Sequence, residues 1–187
     1  MECIILDRRT DYDGSQISSL WGYGIQGIQN DSIIAFRGEC DVKIEHMIDL
    51  EDKREGESIE SPDMLHFIIE HFDSTDLKLV YARQRLFTAI VAEVLVSAGI
   101  CTERVGDDLF ADGRKLTVSI ASTSAVSQKI HFGINVSHNH YGNLEDLGVR
   151  TSGTDIDDMM TSIATRYVSE IDDIEKDLRK SRPLDVI

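Results

Sequence analysis

The sequence is short of several things, and each shortage removes a class of protein. Two prolines in 187 residues, against 41% hydrophobic and 28% charged content, exclude a collagenous or proline-rich extended chain and leave enough apolar surface to bury a core. Three cysteines, Cys3, Cys40 and Cys101, are widely spaced and odd in number, so a disulfide framework and a CxxC metal pair are both excluded. Basic residues are scarce: 19 Lys and Arg against 34 Asp and Glu give a formal charge of −15. That field repels phosphate backbones and anionic headgroups, which excludes general nucleic-acid or membrane-surface binding. No apolar run reaches the roughly 20 residues of a membrane helix. The opening Met-Glu-Cys-Ile-Ile-Leu-Asp-Arg-Arg has charge and apolar blocks in the wrong order for a signal peptide, so a cytoplasmic protein with reduced cysteines is expected. No phosphate-binding P-loop, dinucleotide fingerprint or nucleophile elbow is found either.

What is there suits a single domain over residues 1–187. Cys3 to Leu6 reads as an opening strand, and Ile17 to Ile25, after Ser15, as a short amphipathic helix. Ser32–Arg37 and Asp41–Glu45 read as two strands joined at Gly38-Glu39-Cys40, with a solvated loop over Asp49–Glu60. Ser61-Pro62-Asp63 is a helix-start pattern, which places a helix up to about Phe72. A brief strand follows over Leu77–Tyr81, then a long core helix over Ala82–Ala98 that Gly99 stops. The second half changes period. Strands over Thr102–Val105, Leu109–Ala111, Lys115–Ser122 and Lys129–Val136 form a meander around the Asp112-Gly113 turn, and Thr154–Lys180 makes a final amphipathic helix. The class is α+β: a mixed, largely antiparallel sheet with helices packed on one face.

Two clusters bear chemistry. Asp107 and Asp108 lead into one strand, the hairpin turns through Arg114, and Lys115 opens the return, so Asp108 and Lys115 come close across the pair. A cation and a carboxylate there can grip opposite ends of a polar ligand, although a solvated charged hairpin has the same composition. By alternation Lys115 shares a polar face with Thr117 and Ser119, opposite apolar Leu116, Val118 and Ile120, while Asn135 shares one with His131 and Gly133. The second cluster is His66, Glu70 and His71, with His138 and His140 further on. Its H-x-x-x-E-H spacing is one residue too long for an inverted zincin, so no metal site is assigned, and a metal-dependent hydrolase ranks third among the functions considered.

Val-Leu-Val-Ser-Ala-Gly at 94–99, Gly-Asp-Asp-Leu at 106–109, Asp-Gly-Arg-Lys-Leu at 112–116 and His-Phe-Gly-Ile-Asn-Val at 131–136 resemble, in order and spacing, the catalytic core of the biotin and lipoate protein ligases. With Trp21-Gly22-Tyr23-Gly24, Ala35-Phe36-Arg37-Gly38 and Met64-Leu65-His66-Phe67, the whole chain also resembles a small archaeal family of that fold. The resemblance implies a pocket on a sheet face where an acyl-adenylate lies. It makes Lys115 the catalytic residue at the acyl carbonyl, and gives Arg37, Asp107, Asp108, Arg114 and Asn135 to substrate or nucleotide. It also implies ATP with magnesium, a small carboxylic acid or activated acid as partner, and a homodimer. Two departures are visible: Arg37-Gly38-Glu39-Cys40 stands where those ligases carry a glycine- and arginine-rich loop, and Val118 replaces a glycine after the lysine. No cysteine follows Cys101, so the cysteine mechanism of the octanoyl transferases has no counterpart. A ligase or acyltransferase and a non-catalytic binding or interaction module on the same scaffold are therefore both carried forward.

Overall fold

The computed structural model describes residues 1–56 and 58–184. Its main sheet has the order β1-β2-β3-β8-β7, built from Glu2–Ile5 (β1), Ser32–Val42 (β2), Ile59–His71 (β3), Thr117–Thr123 (β7) and Gln128–Ser137 (β8). β1 runs parallel to β2 and every other neighbour is antiparallel. Glu103–Val105 (β4), Asp108–Ala111 (β5) and Arg114–Lys115 (β6) form a second, three-stranded sheet. Two long helices, Leu77–Ser97 (α3) and Thr154–Leu178 (α4), cover one face of the main sheet. Phe67, Phe87, Phe132 and Tyr167 meet there with little or no exposure.

The opposite face of β2 and β3 is covered as well. Tyr12, Ile28 and Met47 from the connecting segments close over Ile34, Phe36, Met64 and Ile68, with Trp21 of the short helix Trp21–Gln26 (α1) packed against them. Strands buried on both faces lose the in–out alternation that marks a half-exposed strand. This explains the largest correction to the sequence expectation, since Ser61 to His71, where a helix up to about Phe72 was expected, belongs to strand β3. Pro62 takes no part in the ladder: β2 pairs with β3 at Ser61 and again at Met64, and the register slips between them. A bulge is where a residue without an N–H costs a strand least.

The two strands expected around Gly38 are one, bent by the same irregularity between Gly38 and Cys40. Glycine is required at the bend. A Cβ on Gly38 would lie 2.0 Å from the Thr10 carbonyl oxygen, where the crossing segment bonds Thr10 N–H to Arg37 O and Tyr12 N–H to Glu39 O. Three further differences are local. The Ile17–Ile25 helix is split into a 3-10 turn at Ser15–Ile17 and α1, parted at Leu20, whose φ is 63°. The expected loop over Asp49–Glu60 holds a short helix, Leu50–Glu55 (α2), and the start of β3, and Glu57 within it lies outside the described residues. The expected strand over Leu77–Tyr81 is the first turns of α3, capped by Asp76, whose carboxylate accepts the Leu79 N–H at 2.7 Å. The second-half meander and the final helix follow the expected order, with Asp112 and Gly113 both at positive φ in the hairpin. All three cysteines are free.

Candidate functional site

Where β7 and β8 emerge from under the second apolar cluster, their outer face opens into a cleft of about 640 Å³. Lys115 and Asn135 both line it, together with Glu39, Asp41, Glu60 and the segment His138–Tyr141. Behind it lies an inner chamber of about 290 Å³, lined by His46, Met47, Ile48, Asp49 and Glu51 on one side and floored by Val118, Ile120 and His131. Lys115, Val118 and Ile59 line both spaces, so Lys115 stands at their junction.

The alternation argument placed Lys115 with Thr117 and Ser119, and the structure corrects it. β6 ends at Lys115 and β7 starts at Thr117, with Leu116 buried in the helix-side core between them. The break shifts the phase. Thr117 Oγ1 accepts the Leu109 N–H and Ser119 Oγ accepts from Gln84 Nε2 of α3, while Val118 turns toward the cleft with Lys115. Gly133 faces Val118 across the strands, and a Cβ on it would lie 2.3 Å from Met64 Sδ.

The side chains singled out from the sequence are distributed as follows. Lys115 Nζ pairs with Asp108 Oδ2 at 2.9 Å, both half-exposed at the junction. Asp107 lines the inner chamber and is held by Arg85 at 2.7 Å and Gln84 at 2.8 Å. Buried Asn135 donates to the Gly142 carbonyl at 3.2 Å, and Gly142 N–H bonds Lys115 O at 2.8 Å, so this amide fastens the cleft's far wall to the lysine's own backbone. Arg114 and Arg37 are engaged elsewhere. Arg114 pairs with Asp146 on the surface. Arg37 grips Asp63 through Nε at 2.9 Å and donates to Thr151 O at 2.6 Å, and neither arginine is among the residues lining the two spaces. Burial pushes the Asp63 carboxyl up, but hydrogen bonds and charge from Arg37 and Arg9 outweigh it and hold the group below its ordinary value.

This lining does not suit a triphosphate. The outer cleft carries the carboxylates of Glu39, Asp41 and Glu60, and Lys43 beside them is paired with Asp41 at 2.7 Å. Gly38, the glycine standing in for the ligases' loop, is consumed by the Thr10 crossing. Backbone N–H groups and guanidinium forks are what bind polyphosphate, and the described lining offers neither in the required number.

The stack that floors the inner chamber was not anticipated. Tyr12 stacks on His131 with ring centroids 3.7 Å apart, and His131 Nε2 meets His66 Nδ1 at 3.1 Å beneath. Both histidines are buried, and His66 Nε2 has no hydrogen-bond partner. Burial pulls the His66 imidazole down to about 3 and drives His131 well below its usual value, so both are neutral rings of the floor. Alternation along β8 puts His131 on the face of Asn135, as expected, but Tyr12 sits in an irregular segment with no periodic signal.

The histidine cluster considered from the sequence is dispersed among separate networks on β3. His66 meets His131, Glu70 meets Lys129, and His71 lies between Asp31 at 3.0 Å and the Tyr167 hydroxyl at 2.9 Å. Asp31, His71 and Asp73 have metal-ligand geometry, yet both His71 nitrogens are occupied and Asp73 is bound by Arg83. Among the described residues no helix is long and apolar enough to cross a membrane.

A family model described as "Domain of unknown function (DUF366)" matches residues 1–182. An uncharacterised protein of Methanocaldococcus jannaschii, MJ0805, is 45% identical over 98% of this chain and 86% of its own length. A solved structure of a Pyrococcus horikoshi protein of unknown function superposes with a TM-score of 0.91 at 41% identity, covering 98% of this chain and all of the other. Biotin protein ligase from Aquifex aeolicus, solved in complex with biotin and ATP, superposes with a TM-score of 0.64 at 11% identity over 94% of this chain and 72% of the ligase. Lipoate-protein ligase A, solved with bound ATP, superposes with a TM-score of 0.56 at 14% identity over 90% of this chain and 86% of the ligase. At such identities the likeness establishes a shared fold: a mixed α+β domain of the biotin and lipoate ligase type.

Proposed function

The chain belongs to the DUF366 family, and from its two-chambered cleft we propose that it binds a small carboxylic acid, or an already activated ester of one, with the carboxyl group at Lys115. The observation that carries this reading is that Lys115 lines both the polar outer cleft and the inner chamber, where Ile17, Val42, Val118 and Ile120 form an apolar side of a wall that Asp107, Asp108 and His131 complete. An amphiphilic acid suits this arrangement: its chain packs on the apolar side of the inner chamber while its carboxylate meets a cation. Asp108 holds the amine at 2.9 Å and Asn135 fixes the wall opposite. In an acyl transfer the same amine would offset charge developing on the carbonyl oxygen, which is stabilisation of the oxyanion kind.

A second reading is favoured by one specific feature. The acidic outer cleft, with Arg37 and Arg114 engaged elsewhere, supports a binding module that holds the acid without activating it by ATP. Calorimetry and thermal shift with octanoate, lipoate and biotin, each alone and with ATP and magnesium, separate the two. At 100 times its dissociation constant a bound acid adds about 2.7 kcal/mol of stability. We expect at least one acid to bind, with Lys115→Ala weakening it about tenfold, or ~1.4 kcal/mol. Acyl-adenylate formation on adding ATP would favour the ligase, and acid binding indifferent to ATP the module. No binding of any acid, or binding untouched by Lys115→Ala, sinks the proposal.

A further inference from the structure

The floor of the inner chamber presents polar atoms that no other part of the described chain answers. Tyr12 and His131 both line that space and stack face to face, with ring centroids 3.7 Å apart and planes 11° from parallel. His131 Nε2 is taken by His66 Nδ1 at 3.1 Å. Among the described residues no hydrogen bond reaches His131 Nδ1 or the Tyr12 hydroxyl, while His66 Nε2 is the buried side-chain polar atom sealed off without a partner. The first two are therefore not sealed off, and the space their residues line is the chamber. Asp107, Asp108 and Ser119, which line it too, are engaged. Asp108 holds Lys115, Arg85 and Gln84 hold Asp107, and Ser119 accepts from Gln84 while donating to the His131 carbonyl.

The paired histidines fix what His131 offers. The backbone of Gly38 and Glu39 faces His66 without completing a hydrogen bond and favours a proton on it; with Nδ1 turned to His131, that proton sits on Nε2. A neutral imidazole carries one proton, so His66 Nδ1 accepts, His131 Nε2 donates to it, and His131 Nδ1 keeps a bare lone pair. Burial raises the Tyr12 pKa, which leaves its hydroxyl a donor. We infer that His131 is a specificity-determining residue of the chamber: the acid held at Lys115 carries an uncharged hydroxyl or amide whose proton His131 Nδ1 accepts and whose oxygen Tyr12 donates to. This inference rests on the acid-binding reading above. The strand ladder supplies the spacing. Val118 lines both spaces, and Ile120, two residues on and roughly 7 Å away, lies opposite His131. A hydroxyl about six bonds from the carboxyl carbon covers that distance. A second carboxylate there would face the bare lone pair of His131 and the charge of Asp107.

Calorimetry on the full chain compares 6-hydroxyhexanoate with heptanoate, in which a methyl replaces the hydroxyl, and with 6-methoxyhexanoate, which accepts a hydrogen bond but cannot donate one. We expect the hydroxy acid to bind about tenfold more tightly than either, since the other two leave the Nδ1 lone pair unanswered. His131→Phe keeps a stacking ring, removes the acceptor and brings all three acids to a common affinity. Should that variant not fold, nitrogen-15 spectra of the wild-type imidazoles decide: the His131 Nδ1 signal, that of an unprotonated nitrogen, moves upfield with 6-hydroxyhexanoate and stays in place with heptanoate. Equal affinities for the hydroxy acid and heptanoate, a methoxy acid as tight as the hydroxy acid, a preference that survives His131→Phe, or an Nδ1 signal that answers both acids alike overturns the assignment while leaving Lys115-dependent acid binding intact. So does failure of these three acids to bind when octanoate, lipoate or biotin binds. Failure of every acid to bind overturns both readings.

Discussion

At the scale of single residues, the two buried histidines make the sharpest statement about this protein in solution. His66 and His131 are neutral in the fold because burial disfavours their charged forms, and His66 is pushed down to about 3. In the unfolded chain each takes up a proton near pH 6.5. Unfolding below that pH therefore binds protons that the native state refuses, so stability falls as pH falls from about 6.5 toward the folded value. Between pH 7 and pH 5 the expected loss from His66 is about 2 kcal/mol. The window is diagnostic, because carboxylates held low by their partners, such as Asp63 and Asp73, act only below about pH 4. Urea titrations at the two pH values should show the loss in the wild type and a smaller one in His66→Leu, and an equal loss in both would contradict it. The sequence gives little notice of this pair: two histidines 65 residues apart meet only because β3 and β8 are neighbours.

At the scale of elements, local signals were legible where one residue pattern had one physical meaning. Asp112-Gly113 makes a tight reversal because both positions take positive φ, and the final helix has a single apolar stripe that leaves no alternative. Ser61-Pro62-Asp63 has two meanings, a helix start or a strand bulge, and the choice is made by the tertiary pairing with β2 and β8, which the local sequence does not contain. The start of α3 was lost for a related reason: its cap is Asp76, while Leu77 to Tyr81 alone is apolar enough to pass for a strand. That cap is a testable element. Asp76→Ala removes the acceptor for Leu79 N–H and should cost about 1 kcal/mol, read as a lower urea midpoint with an unchanged slope. A variant as stable as the wild type would mean that packing of Val80 and Phe87 alone fixes the helix start. The site shows the same division. Asp108 and Lys115 were visible because a hairpin brings them together, whereas the stack of Tyr12 on His131 and the meeting of His131 with His66 are assembled across separate segments and were not.

At the scale of the whole molecule the governing quantity is the charge of −15. Many of its ion pairs, such as Arg150 with Asp155 and Arg179 with Glu175, lie on the surface, where each is worth at most about 1 kcal/mol. Carboxylates outnumber the cations available to pair with them, and they recur on α4 and around the cleft, so repulsion acts over distances that salt screens efficiently. The Debye length falls from ~30 Å at 0.01 M to ~10 Å at 0.1 M, which removes the many long repulsive terms while leaving pairs near 3 Å largely in place. Added sodium chloride over that range should therefore stabilise the fold and raise the urea midpoint at neutral pH. The two contributions oppose each other in sign, so the measurement decides between them: a midpoint that falls with salt would show that surface pairing outweighs the excess charge. The same field bears on the cleft. Glu39, Asp41 and Glu60 at its mouth oppose the entry of an anionic acid, so the acid's affinity should rise with salt over this range, opposite to the trend for a site that draws anions in by long-range attraction.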